Sequence, residues 1–244
     1  MNIRTFSTPN DIKDSNYNFR DTYMVVVDVL RSTSVIVTAI ANGARGVVPA
    51  RDIEDAMEYS RKLSSGTLLC GERNSLPIPG FALGNSPLEY GPDTVRGKTI
   101  ILTTSNGTGA MLAADGAGEI AIGSLLNAKA VAKDAQASGR DVAILCSGTG
   151  GFFSLDDAYA AGAIAHELRG CAESVDDLSY LCMEVYQKYY TDVFRLLDHC
   201  RHVHILRSHE QGDDIEYCMQ QDLFPIVPRY KDGMIKAENT ITPK

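Results

Sequence analysis

IILTTSNGTGAMLAADGAGEIAIG, residues Ile100 to Gly123, runs from an apolar stretch through a hydroxyl-rich turn and an alanine-rich segment into a second apolar stretch. Ile-Ile-Leu stopping in Thr-Thr-Ser-Asn-Gly reads as a buried strand emptying into a tight turn, with a helix expected from Gly109 onward. The same order of features occurs earlier in the chain. Val25 to Glu72 and Ile100 to Gly148 each give an apolar run, a Thr/Ser turn, an alanine-rich helix, Gly-Ala, an apolar run, an amphipathic helix, Gly and Leu-Cys. Gly43 aligns with Gly116 and Cys70 with Cys146, offsets of 73 and 76, so only small insertions separate the halves.

Each half therefore reads β-α-β-α-β. Strands alternating with helices of this length pair in parallel through crossovers, which covers the sheet on both faces. The predicted fold is a three-layer α/β/α arrangement: a largely parallel sheet built from two similar β-α-β-α-β halves, plus a helical C-terminal part. The expected domain is single, 1–244, with the repeat at about 25–73 and 100–149 and the helical segment at about 154–222. Three helical patterns span Ser154–Gly170, Ser174–Tyr190 and Asp192–Gly212, the first two opening with Ser followed by carboxylates. The tail, Asp213–Ile235, reads as one more helix and a terminal strand. Between the halves, LPIPGFALGNSPLEYGPD (Leu76–Asp93) is rich in Pro and Gly and long enough for a flap over the strand ends.

Composition narrows the function classes. The 244 residues are 44% hydrophobic, enough for a substantial core. With 31 acidic and 23 basic residues the net charge is −8, which argues against nucleic acid or an anionic membrane as general partner. No run of eighteen apolar residues and no basic-then-apolar leader is present, so a soluble, unexported, cytoplasmic protein is expected. Six cysteines lie far apart with no C-x-x-C pair, as in reduced, mostly buried thiols. The reading also allows a homo-oligomer.

Ligands in parallel α/β sheets bind beyond the carboxyl ends of the strands. Every chemically rich segment falls at such an end: DVLRST after Val27, GERN after Cys70, TTSNGT after Leu102 and CSGTGG after Leu145. Asp28 and Glu72 close apolar strands at matching places, each followed by an arginine, Arg31 and Arg73. Carboxylates there suit Mg²⁺, with Asp156 and Asp157 as further candidate ligands. The arginines fit phosphate or sulfonate oxygens in two-point contact. Ser32, Thr33, Thr103, Thr104, Ser105, Asn106, Gly107, Thr108, Ser147 and Gly148 are candidate phosphate-binding positions, supplying hydroxyls and the N–H groups of helix starts. Plain ion pairs and helix caps explain the same residues without a ligand.

Several other chemistries fail on spacing. Leu30 stands where a haloacid-dehalogenase-type phosphatase needs its second aspartate, and Leu76 and Phe152 stand where a cysteine phosphatase needs arginine. Leu112 replaces the third glycine of a dinucleotide fingerprint. The cluster His199, Cys200, His202 and His204 has the composition of a zinc site, but it falls at a predicted helix end, where histidines complement the dipole. Cys70 and Cys146 read as small buried hydrophobes.

Taken in order, VVVDVLRSTSVIVTAIANGA, GERNSLPIPGFALGNSP, TTSNGT, GSLLNA and CSGTGGFFSLDDAYAAGAI resemble the 2-phosphosulfolactate phosphatase family, the magnesium-dependent phosphatases of coenzyme M biosynthesis. The match runs from about Val25 to Pro228. The resemblance implies a phosphoric monoester hydrolase that releases sulfolactate and phosphate from a small anionic phosphoester. It places the Asp-Val-Leu-Arg element at Asp28–Arg31, the Gly-Glu-Arg element at Gly71–Arg73 and the Thr-Thr-x-Asn-Gly-Thr element at Thr103–Thr108. The chain departs from the family at Ala82, where aspartate is common, and at Asn74 and Ser75, where glycines are common. Two alternatives stay open: a non-hydrolytic binder of a phosphorylated or sulfonated metabolite, and a phosphatase of a different small phosphoester. The acids favour the enzyme, because they repel an anion unless a cation bridges them.

Overall fold

The computed structural model describes residues 1–15, 17–63 and 66–237; Ser64 and Ser65 of the first repeat, and the end of the expected 1–244 domain past 237, lie outside the described residues. In chain order the strands are β1 Asn2–Phe6, β2 Thr22–Val27, β3 Gly46–Pro49, β4 Thr67–Arg73, β5 Leu76–Pro77, β6 Thr99–Thr103, β7 Glu119–Gly123, β8 Asp141–Cys146, β9 Ser174–Val175, β10 Pro228–Lys231 and β11 Met234–Ala237. The helices are α1 Pro9–Asp14, α2 Ser32–Ala41, α3 Ile53–Lys62, α4 Pro92–Val95, α5 Gly107–Ala113, α6 Ala128–Ser138, α7 Leu155–Leu168, α8 Asp177–Tyr189, α9 Val193–Leu197, α10 Arg201–Ser208 and α11 Gly212–Cys218.

All strands join one sheet of order β5-β4-β6-β3-β11-β10-β7-β2-β8-β1-β9. The pairs β3–β6, β4–β6, β2–β7, β2–β8 and β1–β8 are parallel. The first half steps four strands one way from β2 to β3 and then two to β4; the second half takes the same steps in the opposite direction, from β6 to β7 to β8. Each half thus places its first strand between the second and third strands of the other. The β10–β11 hairpin fills the middle, antiparallel to β7 and β3.

Both faces of the sheet are buried, which is what continuous apolar strands require. Along β2, Tyr23, Val25 and Val27 pack with α6 and α7, whereas Met24 and Val26 pack with α2 and α5. The fold is therefore α/β in three layers, as the sequence predicts. Among the described residues no helix is long and apolar enough to cross a membrane.

Five local features differ from the sequence reading. The N-terminal segment, not assigned from sequence, forms β1 at the sheet's far side beside β8. The expected single terminal strand is a hairpin whose turn residues Asp232 and Gly233 both have positive φ, the Asp-Gly signature of a tight hairpin. The pattern over Asp192–Gly212 breaks into α9 and α10. Asp176, not Ser174, caps α8 by accepting from Ser179 N. The expected flap is laced to β4, with Ala82 N donating to Leu69 O and Gly71 N to Leu83 O, and it forms a wall instead of a hinged cover.

Candidate active site

Five strand positions separate β2 from β6, about 24 Å in a flat sheet, yet the helices that follow them start in contact. A Cβ built on Gly107 would lie 2.4 Å from Asp28 Oδ2 and 2.6 Å from Ser32 Oγ. Only glycine fits where α5 begins against α2, so the opening of the second repeat is joined to the acid that ends β2. Above this contact lies a cavity of about 310 Å³, lined by Asp28 and Arg31 from the first strand end and by Glu72, Ser75, Ser105 and Asn106 from β4 and β6. Thr149 and Gly150 line it from the loop after β8, so all four strand ends reach one cleft.

Asp28 is 5% exposed; its Oδ1 accepts from Ser32 N at 3.3 Å, and its Oδ2 has no donor among the described residues. Burial pushes its carboxyl up to about 6, opposed by His202 and assisted by the negative charge of Asp156 and Glu72. Ser32 Oγ is buried without a hydrogen-bond partner. Glu72 is committed differently. Its Oε1 accepts from Ser105 N at 2.6 Å and its Oε2 from Ser75 N at 2.7 Å, so it clamps two loops at the cavity wall.

Arg31, 3% exposed, pairs with Asp214 of α11 and donates to Ser75 O at 3.2 Å. Burying a guanidinium without a partner is costly, and the carboxylate of Asp214 offsets that cost. Arg73 turns elsewhere: it donates to Glu72 O and to Thr103 Oγ1, does not line the cavity, and ties β4 to β6.

The remaining sequence candidates divide. Thr104 and Thr108 bond reciprocally, Thr104 N to Thr108 Oγ1 and Thr108 N to Thr104 Oγ1, capping α5. Thr33 Oγ1 donates to Asp28 O. Ser147 Oγ and Gly148 N both donate to Asp157, at 3.0 Å each, and Val29 N donates to its other oxygen. Asp157 is thus a staple between the ends of β2 and β8, and burial beside Asp156 and Asp28 raises its carboxyl well above the usual range. Of the hydroxyl-rich turn, Ser105 and Asn106 face the cavity. Asn106 Oδ1 accepts from Gly150 N at 3.0 Å, which leaves its amide nitrogen available.

Two features were not legible from sequence. Asn85, in the wall formed by the Pro/Gly-rich segment, lines the cavity and has a buried carbonyl oxygen without a partner. His202 also lines it, near the N-terminal end of α10 and not at the helix C-terminus, so this histidine does not complement the helix dipole. Its Nδ1 lies 3.4 Å from Asp156 Oδ2. Burial disfavours a charged imidazole, but the hydrogen bond and charge of Asp156 outweigh it and raise the pKa. Asp156 also accepts from Ser154 Oγ and from Cys200 Sγ, and against its burial these contacts with His202 hold it below the usual carboxylate value. The CRHVH spacing, which puts a histidine and the buried Cys200 near each other, was the available signal.

Among the described residues no group of three His, Cys, Asp or Glu side chains is arranged to hold a metal. The oxygens of Asp156 and Asp157 are taken by protein donors, so the structure does not gather the four carboxylates around one ion. Asp28 Oδ2 and the unpartnered Ser32 Oγ remain, a donor set that fits a hard cation that keeps most of its waters.

A family model described as 2-phosphosulpholactate phosphatase matches residues 6–233. A probable 2-phosphosulfolactate phosphatase of Caldanaerobacter subterraneus subsp. tengcongensis is 42% identical over 97% of this chain and 98% of its own. Proteins with the same description from Clostridium tetani, 40% identical over 97% of this chain and all of the relative, and from Thermotoga maritima, 41% identical over 86% and 89%, are also similar. Matched over nearly its whole length by that family model and by these relatives, the chain belongs to the 2-phosphosulfolactate phosphatase family.

Proposed function

We infer that the protein hydrolyses the phosphate ester of 2-phosphosulfolactate, releasing sulfolactate and phosphate. The observation that carries this reading is one cavity lined together by the buried Arg31, the exposed Arg201, the side-chain amides of Asn85 and Asn106 and the carboxylate of Asp28. A substrate with several anionic groups meets donors and cations there, while a carboxylate stands where a cation is needed. Mg²⁺ belongs to the reading: Asp28 would hold it, with Glu72 reached through water. Bound there, it supplies positive charge against the phosphoryl oxygens.

The chain's own groups have separate tasks. Arg31, fixed by Asp214, and Asn106, fixed by Gly150, orient the anion before reaction, and donors already in place stabilise charge as it spreads over the equatorial oxygens. Glu72 sets the wall by holding Ser75 and Ser105. Six free cysteines support a reducing, cytoplasmic setting and a role in coenzyme M synthesis is consistent with that compartment. The test is phosphate release from 2-phosphosulfolactate and from a panel of other small phosphoesters, with Mg²⁺ and with chelator. Turnover confined to the sulfonated ester and lost with chelator is expected; tight binding without turnover would instead establish the non-hydrolytic binder.

A further inference from the structure

Expelling the alcohol of an aliphatic hydroxy acid from phosphorus leaves an alkoxide, a poor leaving group unless it takes up a proton as the bond breaks. This requirement rests on the phosphatase reading. Four side chains in the cavity are candidate sources; one of them, His209 just past α10, has no side-chain partner among the described residues to orient its ring. Glu72 has both oxygens engaged by N–H and hydroxyl donors, which fixes it as an acceptor. Asp28 accepts from Ser32 N and is the cation's candidate ligand. His202 is different: Nδ1 is turned to Asp156, and Nε2, on the other side of the ring, has no protein partner among the described residues.

We propose that His202 is the catalytic acid that protonates the departing alcohol oxygen, oriented by Asp156. The supporting shell has the layered form of known acid–base pairs, in which a carboxylate fixes the imidazole and further groups fix the carboxylate. Asp156 is 1% exposed and is held in turn by Ser154 Oγ and Cys200 Sγ, so its second oxygen is left for the imidazole. Asp156 belongs to α7 and His202 to α10, both in the helical part that follows the second repeat, so neither repeat contains the pair.

The step balances. The bond between phosphorus and the alcohol oxygen breaks, its electron pair stays on that oxygen, and the oxygen takes the Nε2 proton. Water supplies the oxygen of the new bond to phosphorus. Its two protons leave the product as dihydrogen phosphate, one of which then returns to Nε2 and restores the imidazolium. Asp156 is a positioning residue and does not change protonation.

Leaving-group dependence tests this, because an aryl phosphate such as p-nitrophenyl phosphate departs without needing a proton. For the Mg²⁺-loaded protein, His202→Gln should lower kcat on 2-phosphosulfolactate by about 100-fold or more, and on p-nitrophenyl phosphate by far less. The ¹⁸O isotope effect at the bridging oxygen of 2-phosphosulfolactate should rise in the variant, a readout that needs no second substrate. Asp156→Asn should show the same pattern to a smaller degree, and melting curves establish that both variants fold. A wild-type rate in His202→Gln, or a loss with an unchanged bridging isotope effect, overturns the assignment while the phosphatase reading stands. A wild-type protein that releases no phosphate brings down that reading and this assignment with it.

Discussion

Asp28 shows how a residue's chemistry can oppose its fold. Its carboxyl lies at about 6 against an ordinary 3.8, chiefly because it is buried. A carboxyl raised in this way stabilises the folded state fully below pH 3.8, and that contribution is lost as the pH climbs through about 6. Asparagine keeps the acceptor for Ser32 N and never carries the charge. In chelator, Asp28→Asn should therefore melt above the wild type at pH 8, by up to ~3 kcal/mol, with the gap closing toward pH 4. Its turnover with Mg²⁺ should fall by orders of magnitude; a variant that melts lower at pH 8 or keeps its activity would contradict this account. The hydroxyl-rich turn separates at the same scale. Asn106→Ala removes a donor aimed at the anion and should cost about 100-fold in turnover, with little change in melting. Thr104→Val breaks the reciprocal cap and should cost about 1 kcal/mol of stability with activity nearly intact, measured by denaturant unfolding beside phosphate release.

At the scale of elements, the hairpin between β4 and β5 explains one departure from the family. Glu72 pairs with Pro77 and Arg73 with Leu76, leaving Asn74 and Ser75 as a two-residue turn with φ of 54° and 66°. A turn with both central residues at positive φ favours glycine at each place, in keeping with the glycines that the resemblance implies there, and asparagine tolerates it better than serine. Ser75 serves the site through its backbone alone, its N–H given to Glu72 and its carbonyl accepting from Arg31 and Gln211. Ser75→Gly should therefore raise stability by up to ~1 kcal/mol and leave the KM for the phosphoester unchanged. A fall in stability in thermal melts would show that the serine side chain carries something the turn geometry does not.

For the whole molecule, the central hairpin β10–β11 is the piece on which the two repeats depend, since it alone bridges β7 and β3 in the sheet. Chain truncated after Val227 should lose that bridge, leaving β3 and β7 with unpaired inner edges. Such a fragment is expected to lack a cooperative thermal transition and to aggregate; a soluble fragment with a sharp melt would show that the helices over the sheet suffice. Much of this architecture was written in the sequence, because repeated apolar runs ending in Thr/Ser turns have one economical arrangement, a parallel sheet covered on both faces, with chemistry at the strand ends. The placement of Asp28, Arg31, Glu72, Ser105 and Asn106 around one cavity followed from that rule. The sequence alone could not separate donors facing a ligand from donors consumed by caps: Thr103, Thr104, Ser147 and Arg73 have the same composition and spacing as their neighbours and differ only in which way they point. Nor did it join Asp214 to Arg31, Asp156 to His202 or Asn85 to the cavity. Those partners come from the C-terminal helices and the inter-repeat wall, at separations where only the packed chain determines which side chains meet, and burial then sets their charge.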